Sequence, residues 1–324
     1  LMRSSAASDV YKRQSITPSW ITEENDAGKT VYSLDNNCGV FAGATYDWQI
    51  LNGEAVVASG TFETSAGDPI ENGDMSQWCE TKEMLPLFGS KKITVWYPGS
   101  SWSDSTPGFW DSSNNAGNKT ACTQDKTKNA SCAWLQASGV SLVGALASGS
   151  LFTGTFTYAN MNGTASFGQK YKYTARPTAL RLKYHATLGT VNYNKHNGPL
   201  EKDKDIMDQC SFTVCIVDWD TRHDVQSGTS APKGIWDPIT MGELPVDKQN
   251  GIIGYGVKYS SENTPGTDLI PLEIPIKYYQ QTNAAPDGEN KFTIIISVST
   301  SRYGDYLNGC DKNKIYVDDF EWVY

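Results

Sequence analysis

The chain is 324 residues long, 39% hydrophobic and 11% aromatic, with a formal net charge of −9. That length and apolar content can bury a full core, in one large domain beside a smaller one. The acidic balance excludes a nucleic-acid-binding protein, because no dense Lys/Arg cluster is present to displace phosphate counterions, and no run of eighteen apolar residues marks a membrane-spanning helix.

In chain order, Ser4 to Gln14 matches an in-frame translation of a transposase sequencing adapter. Residues 1–14 are therefore read as foreign sequence, and the native start, with any signal peptide, as lost. Arg3, Lys12, Arg13 and Asp9 together contribute +2 to the charge of −9, which leaves −11 on the remainder. Next, Thr45–Ile50 and Ala55–Ala58 flank Asn52-Gly53, a hairpin signal. Residues 15–66 are expected to be the tail of a small Ig-like β module. The small, polar run Thr64–Pro69 is the best linker in the chain.

From Ile70 onward, β-rich runs recur at Lys92–Tyr97, Cys132–Ala137, Ser150–Tyr158, Ala179–His185, Ser211–Trp219, Ile252–Tyr259, Leu269–Tyr279, Lys291–Thr300 and Lys314–Tyr324. No helical pattern intervenes. Strict alternation in Leu180–His185 predicts one packed face and one wet, basic face, while Phe212–Val217, apolar on both faces, predicts a central strand covered on both sides. Strands without βα alternation predict an all-β fold of two packed antiparallel sheets. The run Phe292–Val298, the Gly/Asn/Asp-rich loop Ser301–Gly309 and the closing run Lys314–Tyr324 read as the last hairpin of a β-sandwich with a decorated loop, which points to a jelly-roll binding module.

The seven cysteines, an odd number, show no C-x-x-C and no Cys/His spacing that would hold zinc. Cys122 and Cys132 flank a polar loop and are the disulfide candidates if the protein is exported. Cys210 and Cys215, five apart around a strand, should face opposite sides of it. His185 and His196 have no partner legible in sequence and are read as surface groups.

Several motifs together resemble the putative carbohydrate metabolism domain, a family of surface and exported proteins of gut anaerobes with a jelly-roll, galactose-binding-like fold. The matching pieces are Leu151–Phe156, Phe167-Gly168, Arg176–Leu180, Ile274-Pro275-Ile276 with Tyr278, Thr293–Ser299, and Gly304-Asp305 with Tyr316–Phe320. Glu71-Asn72-Gly73 and Trp78 resemble its opening strand, so the likeness spans residues 70–324. Two departures stand out. Cys310–Asn313 follow Gly309 where the family is richer in glycine, and Lys183-Tyr184-His185-Ala186 replaces a strand that usually carries two or three tyrosines. The resemblance implies an exported protein, cell-surface lipoprotein or periplasmic, that handles polysaccharide.

Sugars are recognised by aromatic faces stacked on their C–H patches and by a few convergent hydrogen-bonding groups. Trp102 and Trp110, in the turn-rich segment Pro98–Trp110, are the first candidates, and Trp219 and Trp236, beside another polar loop, the second. Arg302, Tyr303, Asp305 and Tyr306 form the loop ahead of the closing strand, where an Arg fork and a carboxylate can each take two hydroxyls. Trp96, Trp134 and Trp322 lie within β-runs and are read as packing residues. Asp318 and Asp319 point to opposite faces of a strand, and either serve as hydrogen-bonded rim carboxylates or hold a structural Ca²⁺ with loop carbonyls. Asp218 and Asp220, near His223, are the one carboxylate pair spaced for glycoside hydrolysis. No Gly-x-Ser-x-Gly elbow, phosphate loop or His-Glu-x-x-His is present. The expected function is non-catalytic glycan binding, capturing polysaccharide for glycan-processing partners. A structural or adhesive domain that binds protein, and a hydrolase using Asp218 and Asp220, are the alternatives.

Overall fold

The computed structural model describes residues 2–6, 15–16, 20–24, 27–28, 30–34, 43, 45–84, 92–103, 106–116, 121–141, 144–159, 161–171, 176–194, 198–201, 205–228, 231–242, 251–279 and 291–324. Their regular secondary structure is almost entirely strand, and the α-helix among them is the five-residue Pro238–Gly242. Eight strands make a sandwich: β1 (Cys132–Gln136), β2 (Ser150–Ala159), β3 (Ala179–Thr187), β4 (Cys210–Trp219), β5 (Ile252–Ser260), β6 (Ile270–Pro275), β7 (Phe292–Ser299) and β8 (Lys314–Val323). The small sheet runs β1-β8-β3-β6 and the large sheet β2-β7-β4-β5, with every neighbouring pair antiparallel. First lies beside last, second beside seventh, third beside sixth and fourth beside fifth, as when one long hairpin is rolled up. This is the jelly-roll winding that the sequence predicted. Asn162–Phe167 and then His223–Gly228 extend the large sheet outward from β2, and Cys122–Asp125 extends the small sheet from β1.

Strand parity sets the core. Phe212, Val214 and Ile216 of β4 face the small sheet, whereas Cys215 and Val217 face the other way and join a second cluster with Trp219, Ile252 and Ile295. Trp236, Met241 and Tyr279 cover that second cluster, so the expected two-sided burial of this strand holds. Cys210 belongs to the first cluster and Cys215 to the second, on opposite sides as expected. In β3, Leu180 and Leu182 point inward. Arg181 points out to Glu273 and Glu321, and Lys183 to Asp319.

In β8, Ile315 and Val317 face the core and then the parity changes. Arg181 pairs with Glu321 but Lys183 with Asp318, so two residues of β8 oppose Leu182 alone. Asp319 takes up the extra residue at φ 51°, and this bulge turns Phe320 inward. Gly73 crosses the same place: a Cβ there would collide with the Phe320 carbonyl, and the Phe320 N–H donates to Gly73 O at 2.8 Å.

Three sequence expectations need correction. Cys122 pairs with Leu135 and Cys132 with Asp125. The two thiols are thus offset by three residues, roughly 10 Å along neighbouring strands, beyond the reach of a disulfide. All six cysteines among the described residues are free, while Cys38 lies outside them. His185 is not a surface group. It is 7% exposed, its Nδ1 lies 2.7 Å from the Thr264 hydroxyl, and burial, then the Lys128 charge, lowers its pKa. Trp96, read as a packing residue, is exposed. His196 lies outside the described residues. At the N-terminal end, Thr45–Asn52 and Ala55–Glu63 form the expected hairpin, with the turn on Gly53-Glu54 and Gly53 at φ 62°. Met2–Ala6 pairs with the first of these strands.

Candidate functional site

Towards the end of β7 the outward face of the large sheet changes character. Ser150, Ser299 and Ser211 form one cross-strand row, Phe152, Ser297 and Thr213 the next, and Ile295 and Cys215 a third. Trp236 and Met241 pack over the third row. The hydroxyl side chains of the first two rows are short, and above them lies a hollow of about 480 Å³. One wall is the outer extension of the sheet with the end of β2, which supplies Phe156, Tyr158 and Met161. Ile235 to Pro238 form a second wall, and the loop Ser301–Leu307 a third.

Buried polar chemistry fixes that loop. Asp208, 2% exposed, accepts from the Ser301 hydroxyl (2.7 Å), Cys310 N (2.8 Å) and Asn313 Nδ2 (2.7 Å) on one oxygen and from Gln209 N (2.8 Å) on the other. Burial nevertheless raises its pKa, against the pull of these bonds. Ser148 Oγ meets Ser299 Oγ at 2.8 Å and Thr300 Oγ1 at 3.0 Å. Gly304 lies so close to Ser148 that a Cβ would stand 2.7 Å from the serine Cβ, so only glycine lets the loop sit this low.

On this support Arg302 is immobilised. Its guanidinium lies 3.8 Å from the Tyr259 ring centre and 5.1 Å from that of Tyr303, and Nη1 donates to Gln209 Oε1 at 3.0 Å. Among the described residues it is the one cation lining the hollow, beside two carboxylates, Asp237 and Asp305. Asp305 keeps an exposed surface, but that surface belongs to the hollow and protein surrounds it. Desolvation raises its carboxyl to about 6, opposed by a 3.5 Å bond from the Ser227 hydroxyl. Asp237 spends Oδ1 on Ile239 N at 2.9 Å, at the start of the short helix. Tyr303 and Tyr306 meet edge-on at 6.4 Å.

Of the residues singled out in sequence, Trp236, Arg302, Tyr303, Asp305 and Tyr306 therefore converge on one hollow. The rest do not. Trp110 is fully buried, packs on Phe320 and Phe109, and donates its indole N–H to Glu71 O at 2.7 Å. It is core, since the polar loop around it folds back onto the segment at residue 71. Trp102, 9% exposed, lies flat on Tyr97 with ring centres 4.1 Å apart, so that face is already taken. Trp219 is buried under Trp236 and His223. Asp218 and Asp220 both bond Lys291, at 3.1 and 3.3 Å, and the strand ends at Trp219 before Asp220. His223 Nε2 is 2.6 Å from Gly234 O.

Asp318 and Asp319 do not fit a shared Ca²⁺ site. Asp318 is buried with its oxygens bonded to Asn129 Nδ2 (2.6 Å) and Asp319 N (2.8 Å), while Asp319 meets Lys183 Nζ at 2.8 Å on the outer face. Among the described residues no group of three acidic, His or Cys side chains gathers around these two carboxylates.

Sequence reasoning missed the hydroxyl floor, Phe156, Tyr158, Tyr259, Asp237 and the Asp208 support. The floor had a readable signal: Ser297 and Ser299 alternate with Ile296 and Val298, as Ser211 and Thr213 do with Phe212 and Val214.

A family model described as the putative carbohydrate metabolism domain matches residues 62–323. The chain belongs to that family. The match takes in the whole sandwich and the Ser301–Leu307 loop, and it gives this domain a carbohydrate-related role. A crystal structure described as a putative glycoside hydrolase from Bacteroides vulgatus ATCC 8482 superposes with a TM-score of 0.50 at 15% identity, over 76% of this chain and 97% of that one. Another so described, from Bacteroides thetaiotaomicron VPI-5482, gives a TM-score of 0.47 at 15% identity, over 86% and 78%. At 15% identity the likeness to the Bacteroides vulgatus structure is one of fold alone. No curated protein matches the chain.

Proposed function

We propose that this carbohydrate-metabolism domain binds glycan, without turning it over, in the hollow on the outer face of the large sheet. The observation that supports this most directly is the arginine locked between Tyr259 and Tyr303 above a floor of serine and threonine hydroxyls. Fixed donors and aromatic faces are what a sugar needs, and their immobility lowers the entropy lost on binding. Trp236, Tyr306 and Asp305 complete the set of contacts. The protein would act outside the cytoplasm, at the cell surface or in the periplasm, retaining polysaccharide for glycan-processing partners. Burial raises the thiols of Cys132 and Cys210 to about 12 and keeps them unreactive.

The test is affinity electrophoresis and calorimetry of the full chain against host and plant polysaccharides, with released reducing ends measured in parallel. Saturable binding, no release and at least tenfold weaker binding by Arg302→Ala are expected. Binding that survives both Arg302→Ala and Trp236→Ala would move the ligand elsewhere. One observation favours hydrolysis instead: two carboxylates, Asp305 and Asp237, share the hollow, and glycosidases use a pair of carboxyl groups. Reducing-end release that disappears in Asp305→Asn would establish that reading.

A further inference from the structure

On the outer face of the small sheet and at the end of β4, carboxylates meet cations: Glu273 and Glu321 share Arg181, Asp319 takes Lys183, and Asp218 and Asp220 share Lys291. In the hollow they do not. Among the described residues neither Asp237 nor Asp305 forms an ion pair, although Arg302 lines the same hollow. Its guanidinium is turned instead to the Tyr259 and Tyr303 rings and to Gln209. Two carboxylates against one committed cation leave the lining with uncompensated negative charge.

Each carboxylate also stands beside aromatic rings. The Ser227 hydroxyl, 3.5 Å from Asp305 Oδ1, belongs to a cross-strand row with Gly163 and Tyr158. The Phe156 ring lies over Gly163, where a Cβ would stand 2.6 Å from its Cζ. Tyr306 follows Asp305 in the chain, Asp237 follows Trp236, and all of these rings line the hollow. Ring faces attract cations, so the rings and the carboxylates favour the same ligand charge. Desolvation raises Asp305 to about 6, and the bond that opposes this comes from a neutral hydroxyl. The floor has a different preference. Ser150, Ser299 and Ser211, with Ser297 and Thr213 in the next row, offer hydroxyls that both donate and accept. A neutral sugar would match that floor but would strip water from Asp305 without supplying a counter-charge, which is costly. An acidic sugar would add repulsion.

We propose that the ligand of this hollow is a glycan carrying a free amino group, an amino sugar whose nitrogen is not acetylated. The ammonium lies against Asp305 and the rings beside it, and the sugar hydroxyls lie on the serine and threonine floor. This rests on the carbohydrate-binding reading and narrows its ligand class.

Calorimetry of the full chain at neutral pH with glucosamine, N-acetylglucosamine and glucose, with the three galactose counterparts and with cyclohexylamine separates the two claims. For at least one of the two series, the amino sugar should bind at least tenfold more tightly than its N-acetyl form, its parent sugar and cyclohexylamine. That preference should fall below threefold in Asp305→Asn, which keeps the side-chain shape at an exposed position. In the natural chain, raising the ionic strength should weaken the amino sugar at least threefold and leave any N-acetyl sugar binding within twofold, because screening acts on charge. Amino and parent sugars binding within twofold of each other would overturn the amino-sugar ligand and leave glycan binding intact. A preference that survives in both Asp305→Asn and Asp237→Asn would overturn the role of the carboxylates, and with it the proposal. Cyclohexylamine binding as tightly as the amino sugars would make the hollow an amine site and overturn both readings. Silence from every sugar would overturn the amino-sugar ligand, while the polysaccharide panel would still judge glycan binding.

Discussion

At Asp318 a carboxylate that is 1% exposed accepts from Asn129 and from the Asp319 amide, yet desolvation outweighs those bonds and raises its pKa to about 6, from 3.8. A folded-state pKa above the unfolded value means that the folded chain holds its proton longer. The contribution to stability is therefore full at low pH and is lost as pH rises from 3.8 through about 6. Asn at this position does not titrate. The stability of the natural chain relative to Asp318→Asn should thus fall by about 2–3 kcal/mol between pH 3 and pH 7, measured by urea denaturation at each pH; a constant difference would show that the carboxyl is solvated. Two tryptophans give a second contrast. Trp110→Ala should cost about 3–5 kcal/mol and lose the partner of Glu71 O, whereas Trp236→Ala, on a half-buried ring, should weaken ligand binding tenfold with a much smaller fall in melting temperature. The roles of these two rings were not separable in sequence. Both sit in polar, turn-rich segments, and what buries Trp110 is a carbonyl 39 residues away.

Sequence placed Arg302, Tyr303, Asp305 and Tyr306 together in the loop between the last two β-runs, and in the fold all four line the hollow. What sequence could not supply is why the loop holds one shape. The answer is Asp208, placed in a connection nearly 100 residues earlier and surrounded by donors from Ser301, Cys310, Asn313 and Gln209. Asp208→Ala leaves those donors unpaired inside the protein and should cost about 3–5 kcal/mol. Amide exchange in residues 301–310 should accelerate more than in β7, and ligand binding should be lost with the loop. A variant that exchanges uniformly faster, with the loop no worse than the strand, would mean that Asp208 supports the sandwich generally. The floor beneath the loop was legible in the Ser/Ile and Ser/Phe alternation of β7 and β4, but alternation reports only that one face is polar. That the polar face is a cavity rather than open surface follows from the curl of Asn162–Phe167 and His223–Gly228 over it, and sheet curl has no single-residue signature.

On the scale of the molecule, the order of β-runs and the absence of helices were enough to predict two packed sheets. The rolled pairing of first strand with last is set by contacts between residues far apart in sequence, and β8 closes the small sheet only by lying between β1 and β3. The segment just before the sandwich completes that closure. Asp68 O accepts from Tyr171, Glu71 O from Trp110 and Gly73 O from the Phe320 amide, while Ile70 and Met75 enter the core. The linker assigned to Thr64–Pro69 therefore ends against folded structure, and the boundary of an autonomous unit should lie before it. A chain beginning at Thr64 is expected to melt within about 3 °C of the full chain. One beginning at Gln77 loses two buried apolar side chains, worth about 1.5–3 kcal/mol each, and strands the Trp110 and Phe320 N–H groups at about 1–3 kcal/mol each. The sum of roughly 5–12 kcal/mol from those terms matches the whole stability of a typical domain, so this shorter chain should not fold. Calorimetric melting of the two truncations decides the matter. A cooperative transition in the shorter chain at the temperature of the longer one would show that residues 64–76 only lie on the sandwich, and that its core closes without Ile70 and Met75.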